Sequence, residues 1–116
     1  MDAWEYAAIE TARAAGGRLY HEFLRVPDLS AGIYVLEVGA TDPQSPHTED
    51  ELYYVVSGRA AVTVGGETRP VVAGSLVFVA AGAPHRFHDV VERLELLVVF
   101  GPAEGGRAKG SKASST

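Results

Sequence analysis

The chain reads as an all-β protein, a sandwich or barrel of short antiparallel strands preceded by one helix. Three observations carry this. Eight β-type runs follow one another from residue 18 to residue 100, separated by turn residues. Gly65-Gly66 falls between RAAVTV and ETRPVV, where a two-residue hairpin connection belongs. The opening segment is rich in Ala and Glu and then stops at Gly16-Gly17, the pattern of a single helix with a glycine end.

The helix is expected over residues 2–15, with Asp2 as its cap and Trp4, Ala8, Ile9 and Ala12 as the side that packs. The strands follow as RLYHEFLRV (18–26), GIYVLEV (32–38), ELYYVVSG (51–58), RAAVTV (59–64), ETRPVV (67–72), SLVFVA (75–80), HRFHDV (85–90) and LELLVVF (94–100). Pro70 has no amide hydrogen to donate, so its strand belongs at an edge or a bulge. This divides the chain into a helical segment (1–17), a β domain (18–101) and a Gly/Ala/Ser/Lys-rich disordered tail (102–116).

Composition narrows the function classes. At 116 residues the chain makes one domain with one core, and its 47% hydrophobic content is that of a globular protein. A formal charge of −5 with scattered Lys and Arg argues against a nucleic-acid reader. With no cysteine there is no disulfide, thiolate metal site or Cys nucleophile. No apolar run reaches the ~20 residues of a membrane span, and the acidic start MDAWEYAAIE is unlike a signal peptide, so cytoplasmic residence is expected.

Two segments carry metal-type ligands. In GATDPQSPHTEDELYYVVSG (39–58), His47 precedes Glu51 by four residues, which on a period of two puts both side chains on one face. Glu51, Tyr53 and Val55 then point one way, and Leu52, Tyr54 and Val56 the other. In GSLVFVAAGAPHRFHD (74–89), a Gly/Pro turn delivers His85 to a strand mouth. Two imidazoles and a carboxylate are the donor set of a non-haem Fe(II)-type site with open positions. His88 falls on the opposite face to His85, toward solvent, and His21, in an early strand, reads as structural, so neither joins the set. Glu49 and Asp50 read as a solvated loop.

These segments resemble the two signature motifs of the cupins. The first, G-x(5)-H-x-H-x(3,4)-E-x(6)-G, is matched by Gly39, His47, Glu51 and Gly58, with Ser45 in place of its first histidine. The second, G-x(5)-P-x-G-x(2)-H-x(3)-N, is matched by Gly74, Gly82 and His85, with Ala80 for the proline and Asp89 for the asparagine. The resemblance implies a jelly-roll barrel with Glu51 facing inward, and a divalent transition metal (Fe, Mn, Ni or Zn) on His47, Glu51 and His85. Gln44, beside the vacated corner, is a candidate fourth ligand through its carbonyl oxygen. Tyr53, next to Glu51, is the candidate catalytic residue, a phenol able to donate a proton or orient a substrate oxygen. A small oxygenated ligand or substrate and a homodimer are the partners the family implies, with turnover left open.

Overall fold

The computed structural model describes residues 1–43 and 46–106. It contains α1 (Tyr6–Gly16) and six strands: β1 (Tyr20–Val26), β2 (Leu29–Leu36), β3 (Asp50–Val64), β4 (Glu67–Val72), β5 (Leu76–Val79) and β6 (His85–Gly101). All pairings are antiparallel. The sheet runs β1-β2-β6-β3-β4, with β5 on the free side of the first half of β3. The architecture is the expected jelly roll.

The eight expected runs become six strands because two pairs fuse. Residues 51–58 and 59–64 form one 15-residue strand, and 85–90 and 94–100 one of 17 residues. These two long strands pair along their whole length, Asp50 opposite Gly101 at one end and Val64 opposite His85 at the other. Each changes its inward parity midway. In β3 the buried positions pass from Glu51, Tyr53 and Val55 to Ala60 and Val62; in β6 they pass from His85 and Phe87 to Val90, Leu94 and Leu96. Register shifts between Val55 and Ala61 absorb the change.

Gly58 marks the bend in β3. Its φ is +102°, and a Cβ there would run into the Arg93 carbonyl of β6, so the site accepts glycine alone. Asp89 marks the bend in β6 at φ +51°. The hairpin at Gly65-Gly66 forms as expected, with Val64 opposite Glu67, and Pro70 lies on β4 at the end of the sheet order.

The helix begins four residues later than the sequence suggested. Its N-cap position is Glu5, which makes no side-chain cap, and Gly17 ends it at φ +67°. The packed side is Tyr6, Ile9, Glu10 and Arg13 rather than Trp4, Ala8, Ile9 and Ala12. Tyr6 and Ile9 join Phe23, Ile33 and Val35 in a small apolar cluster outside the barrel, and Trp4 lies edge-on to Phe23. Arg93 of β6 ties the helix to the sheet by an ion pair to Glu10, and it also pairs with Glu37 and Glu95. The main core fills the barrel with Tyr53, Phe87, Phe100, Leu94, Leu96 and their neighbours.

Of the stretch expected to be disordered from residue 102, residues 102–106 pack on the barrel. Ala103 is buried, and its amide donates to the Pro27 carbonyl. The rest of that stretch lies outside the described residues. Among the described residues, no helix is long and apolar enough to cross a membrane.

Candidate metal centre

Glu51 reaches the interior because β3 alternates from its first residues: Glu51 and Tyr53 are buried while Leu52 and Tyr54 stand outside. His85 opens β6 directly after the Gly82–Pro84 turn, and its side chain is fully buried. His47 arrives differently from the expectation. It precedes β3 and is held in a loop, its carbonyl accepting from the Gly82 amide at 2.7 Å. Strand parity therefore does not align His47 with Glu51; the pairing of the two motif loops does.

One ligand atom from each of His47, Glu51 and His85 lies within 4.8 Å of the others. His85 Nε2 is 3.1 Å from Glu51 Oε1, yet neither Glu51 oxygen accepts a well-formed hydrogen bond among the described residues. A carboxylate with both oxygens buried and unsatisfied is costly unless a cation meets it. The donor set therefore fits a divalent metal: two imidazoles, one carboxylate, and room for further ligands. Gln44 lies outside the described residues.

The surrounding groups orient the set. His85 Nδ1 lies 3.0 Å from the Ala83 carbonyl, an acceptor only, so Nδ1 carries the proton and Nε2 faces the site. Burial disfavours the charged imidazole, but the Glu51 carboxylate, the Ala83 carbonyl and the nearby Asp42 outweigh it, and His85 is raised above its ordinary value. Tyr53, fully buried, brings its hydroxyl to 3.1 Å from His85 Nε2. The ring of His47 lies edge-on to Phe100 with centroids 4.9 Å apart.

Four further residues at the site escaped the sequence reading. Asp42, buried, accepts from the Tyr34 hydroxyl at 2.6 Å and from the Phe87 amide at 2.9 Å, tying the motif loop to β2 and β6. Tyr34 and Tyr20 wall the cavity beside the ligands. Glu104 comes from the C-terminal segment, its Oε2 3.6 Å from His47 Nδ1. Burial pushes the Glu104 carboxyl up, opposed by His47. Only an Asp between turn residues, at Asp42, offered any signal; the others are brought in by long-range pairing.

Glu49 is a correction. Expected in a solvated loop, it is 2% exposed, accepts from the Gly105 amide at 2.9 Å and is bonded by the Thr48 hydroxyl. His88 is half-buried rather than solvent-facing, placed between the Thr63 hydroxyl at 2.8 Å and Asp89 at 2.8 Å.

Comparison with known proteins agrees with this geometry. The family model of the cupin domain matches residues 32–100. An uncharacterized protein of Streptomyces coelicolor is 51% identical over 104 residues, covering 90% of this chain and 99% of its own. A solved structure from Thermus thermophilus superposes with a TM-score of 0.70 at 22% identity, covering 89% of this chain and 99% of its own. An RmlC-like cupin from Shewanella frigidimarina gives 0.65 at 25% identity, covering 72% and 75%. With more than half of its length matched by the domain model and both motifs meeting inside the barrel, the chain belongs to the cupin family.

Proposed function

We propose that this cupin holds one divalent transition metal, of the Fe, Mn, Ni or Zn kind, on His47, Glu51 and His85, and uses it to bind or convert a small oxygenated molecule. The observation that carries the reading is Glu51: among the described residues both of its oxygens are buried without a well-formed hydrogen bond, beside two histidines that each bring a ligand atom within 4.8 Å. When bound, such a metal supplies Lewis-acid polarisation of a ligand oxygen or a redox centre for O₂.

The chain's own residues do the rest. The Ala83 carbonyl fixes the His85 tautomer so that Nε2 is the donor, an outer-shell role common to metal-ligating histidines. The Tyr53 hydroxyl lies 3.1 Å from His85 Nε2, and once that nitrogen ligates the metal the hydroxyl proton is free to turn to an adjacent ligand oxygen. Phe100 and Val98 exclude bulk water on one side of the cavity.

Elemental analysis of the purified protein tests the reading, with the His47→Ala/His85→Ala double variant alongside. About one equivalent of metal in the parent and none in the variant is expected for a three-ligand site. A parent that takes up no metal on reconstitution overturns the assignment.

The outer face of β3 and β5 supports a homodimer. Leu52 sits opposite Phe78 and Tyr54 opposite Leu76, and all four are exposed. Exposed apolar patches of this kind mark interaction surfaces.

A further inference from the structure

The cavity beside the metal ligands has a charge character and a pair of polar groups that together define what it accepts. It measures about 120 Å³, well below the roughly 300–1,000 Å³ of pockets for drug-sized ligands, so its occupant is small. Tyr20, Tyr34, Val98 and Phe100 make the apolar wall, and His47, Glu51 and Glu104 the polar side. Among the described residues no Lys or Arg lines it.

Two of these residues present polar side-chain groups to the cavity. The Tyr20 hydroxyl is buried and has no partner among the described residues. Its ring lies edge-on to Tyr34 and Phe100 and directly over Gly32, where any Cβ would collide with it. Gly32 thus makes the space that seats the Tyr20 ring.

Glu104 is delivered by residues 102–106 folding back across the barrel mouth. Its amide donates to Ser30 Oγ at 2.8 Å, its carbonyl accepts from Arg25 at 2.8 Å, and the next amide, Gly105, donates to buried Glu49 at 2.9 Å. Three hydrogen bonds hold the backbone on either side of a carboxylate that points into the cavity.

We propose, building on the metal reading above, that Tyr20 and Glu104 are specificity-determining residues for a small uncharged molecule carrying both a carbonyl-type oxygen and a hydroxyl. Tyr20 donates to an acceptor oxygen of the ligand, and Glu104 accepts from its hydroxyl. Charge selects against anions. A divalent ion with the Glu51 and Glu104 carboxylates sums to zero, whereas an added ligand carboxylate leaves excess negative charge in a half-enclosed, apolar-walled space that no Lys or Arg lines among the described residues.

Hydroxyacetone and pyruvate make the test, since they share a methyl ketone and differ in a hydroxymethyl against a carboxylate. Binding is measured by calorimetric or NMR titration of Zn-loaded protein, with metal content assayed on every sample. The parent is expected to favour hydroxyacetone by roughly tenfold or more, as a site built to hydrogen-bond one group discriminates against its replacement. Tyr20→Phe should weaken hydroxyacetone roughly fivefold with metal content unchanged. Glu104→Gln should narrow the gap by admitting pyruvate. Metal-loaded parent that binds pyruvate as well as hydroxyacetone, binds neither, or is indifferent to Tyr20→Phe overturns the inference alone. Failure to load metal removes the reading beneath it as well.

Discussion

At residue 89 the backbone sits at φ +51°, a conformation that costs most side chains about 1–2 kcal/mol and that Asn and Asp tolerate through local hydrogen bonds. The motif's asparagine is replaced here by aspartate, and the two are equivalent for this purpose. Asp89→Asn should leave the urea midpoint unchanged, while Asp89→Val should lower stability by about 1–2 kcal/mol. Gly58 is less forgiving, because the Arg93 carbonyl occupies the space of a Cβ. Gly58→Ala should cost about 3 kcal/mol or more, read by chemical denaturation, from overpacking added to the left-handed backbone. Glu51 and His85 were legible because their cues are local: a period of two and a turn that ends at a strand mouth. Asp42, Tyr20 and Glu104 were not. Asp42 earns its role only where β2 and β6 bring Tyr34 and the Phe87 amide to it, and no spacing in the sequence encodes that meeting.

Elements were legible in kind more than in extent. The hairpin at Gly65-Gly66 and the edge position of Pro70 follow from backbone chemistry, but a glycine inside a long strand looks like a strand end when read in sequence. That is why β3 was split at Gly58, and β6 between its two runs. The helix start was misplaced because Asp2 offered a capping side chain, whereas docking selected the face that Arg93 can reach. This latch has its own pH behaviour. Its hydrogen bond to Arg13, opposed by partial burial and aided by Arg93, holds the Glu10 carboxyl below its ordinary value of 4.5. A lowered carboxyl contributes stability that is full above the unfolded value and is lost as pH falls through the folded one. Arg93→Ala should cost at most about 1 kcal/mol at pH 7, and the parent and variant should converge once the pH is low enough to protonate the Glu10 carboxyl in the folded protein. Thermal melts at neutral and at low pH check this, and a gap that persists at low pH would assign the effect to packing of the arginine stem instead.

For the whole molecule, the family and its barrel could be read in advance from two motifs covering less than half the chain, because those motifs carry the inward glutamate, the turn and the bends that set the architecture. Assembly could not, since an outward apolar residue looks the same whether solvent or a second copy faces it. Phe78 is 61% exposed at the centre of the β3–β5 outer face, so Phe78→Glu should convert a dimer to a monomer in sedimentation while leaving metal content intact. A final consequence concerns how the protein comes apart. Because β3 and β6 pair from the Glu51 end to the His85 end, with only register shifts between Val55 and Ala61, and the metal ligands draw on both ends, neither half of the barrel should open while the other stays closed. Amide exchange should therefore report one cooperative unit, with Val62 and Val98 protected to the same free energy, while the amides of α1 exchange through a separate, cheaper opening that leaves the barrel shut.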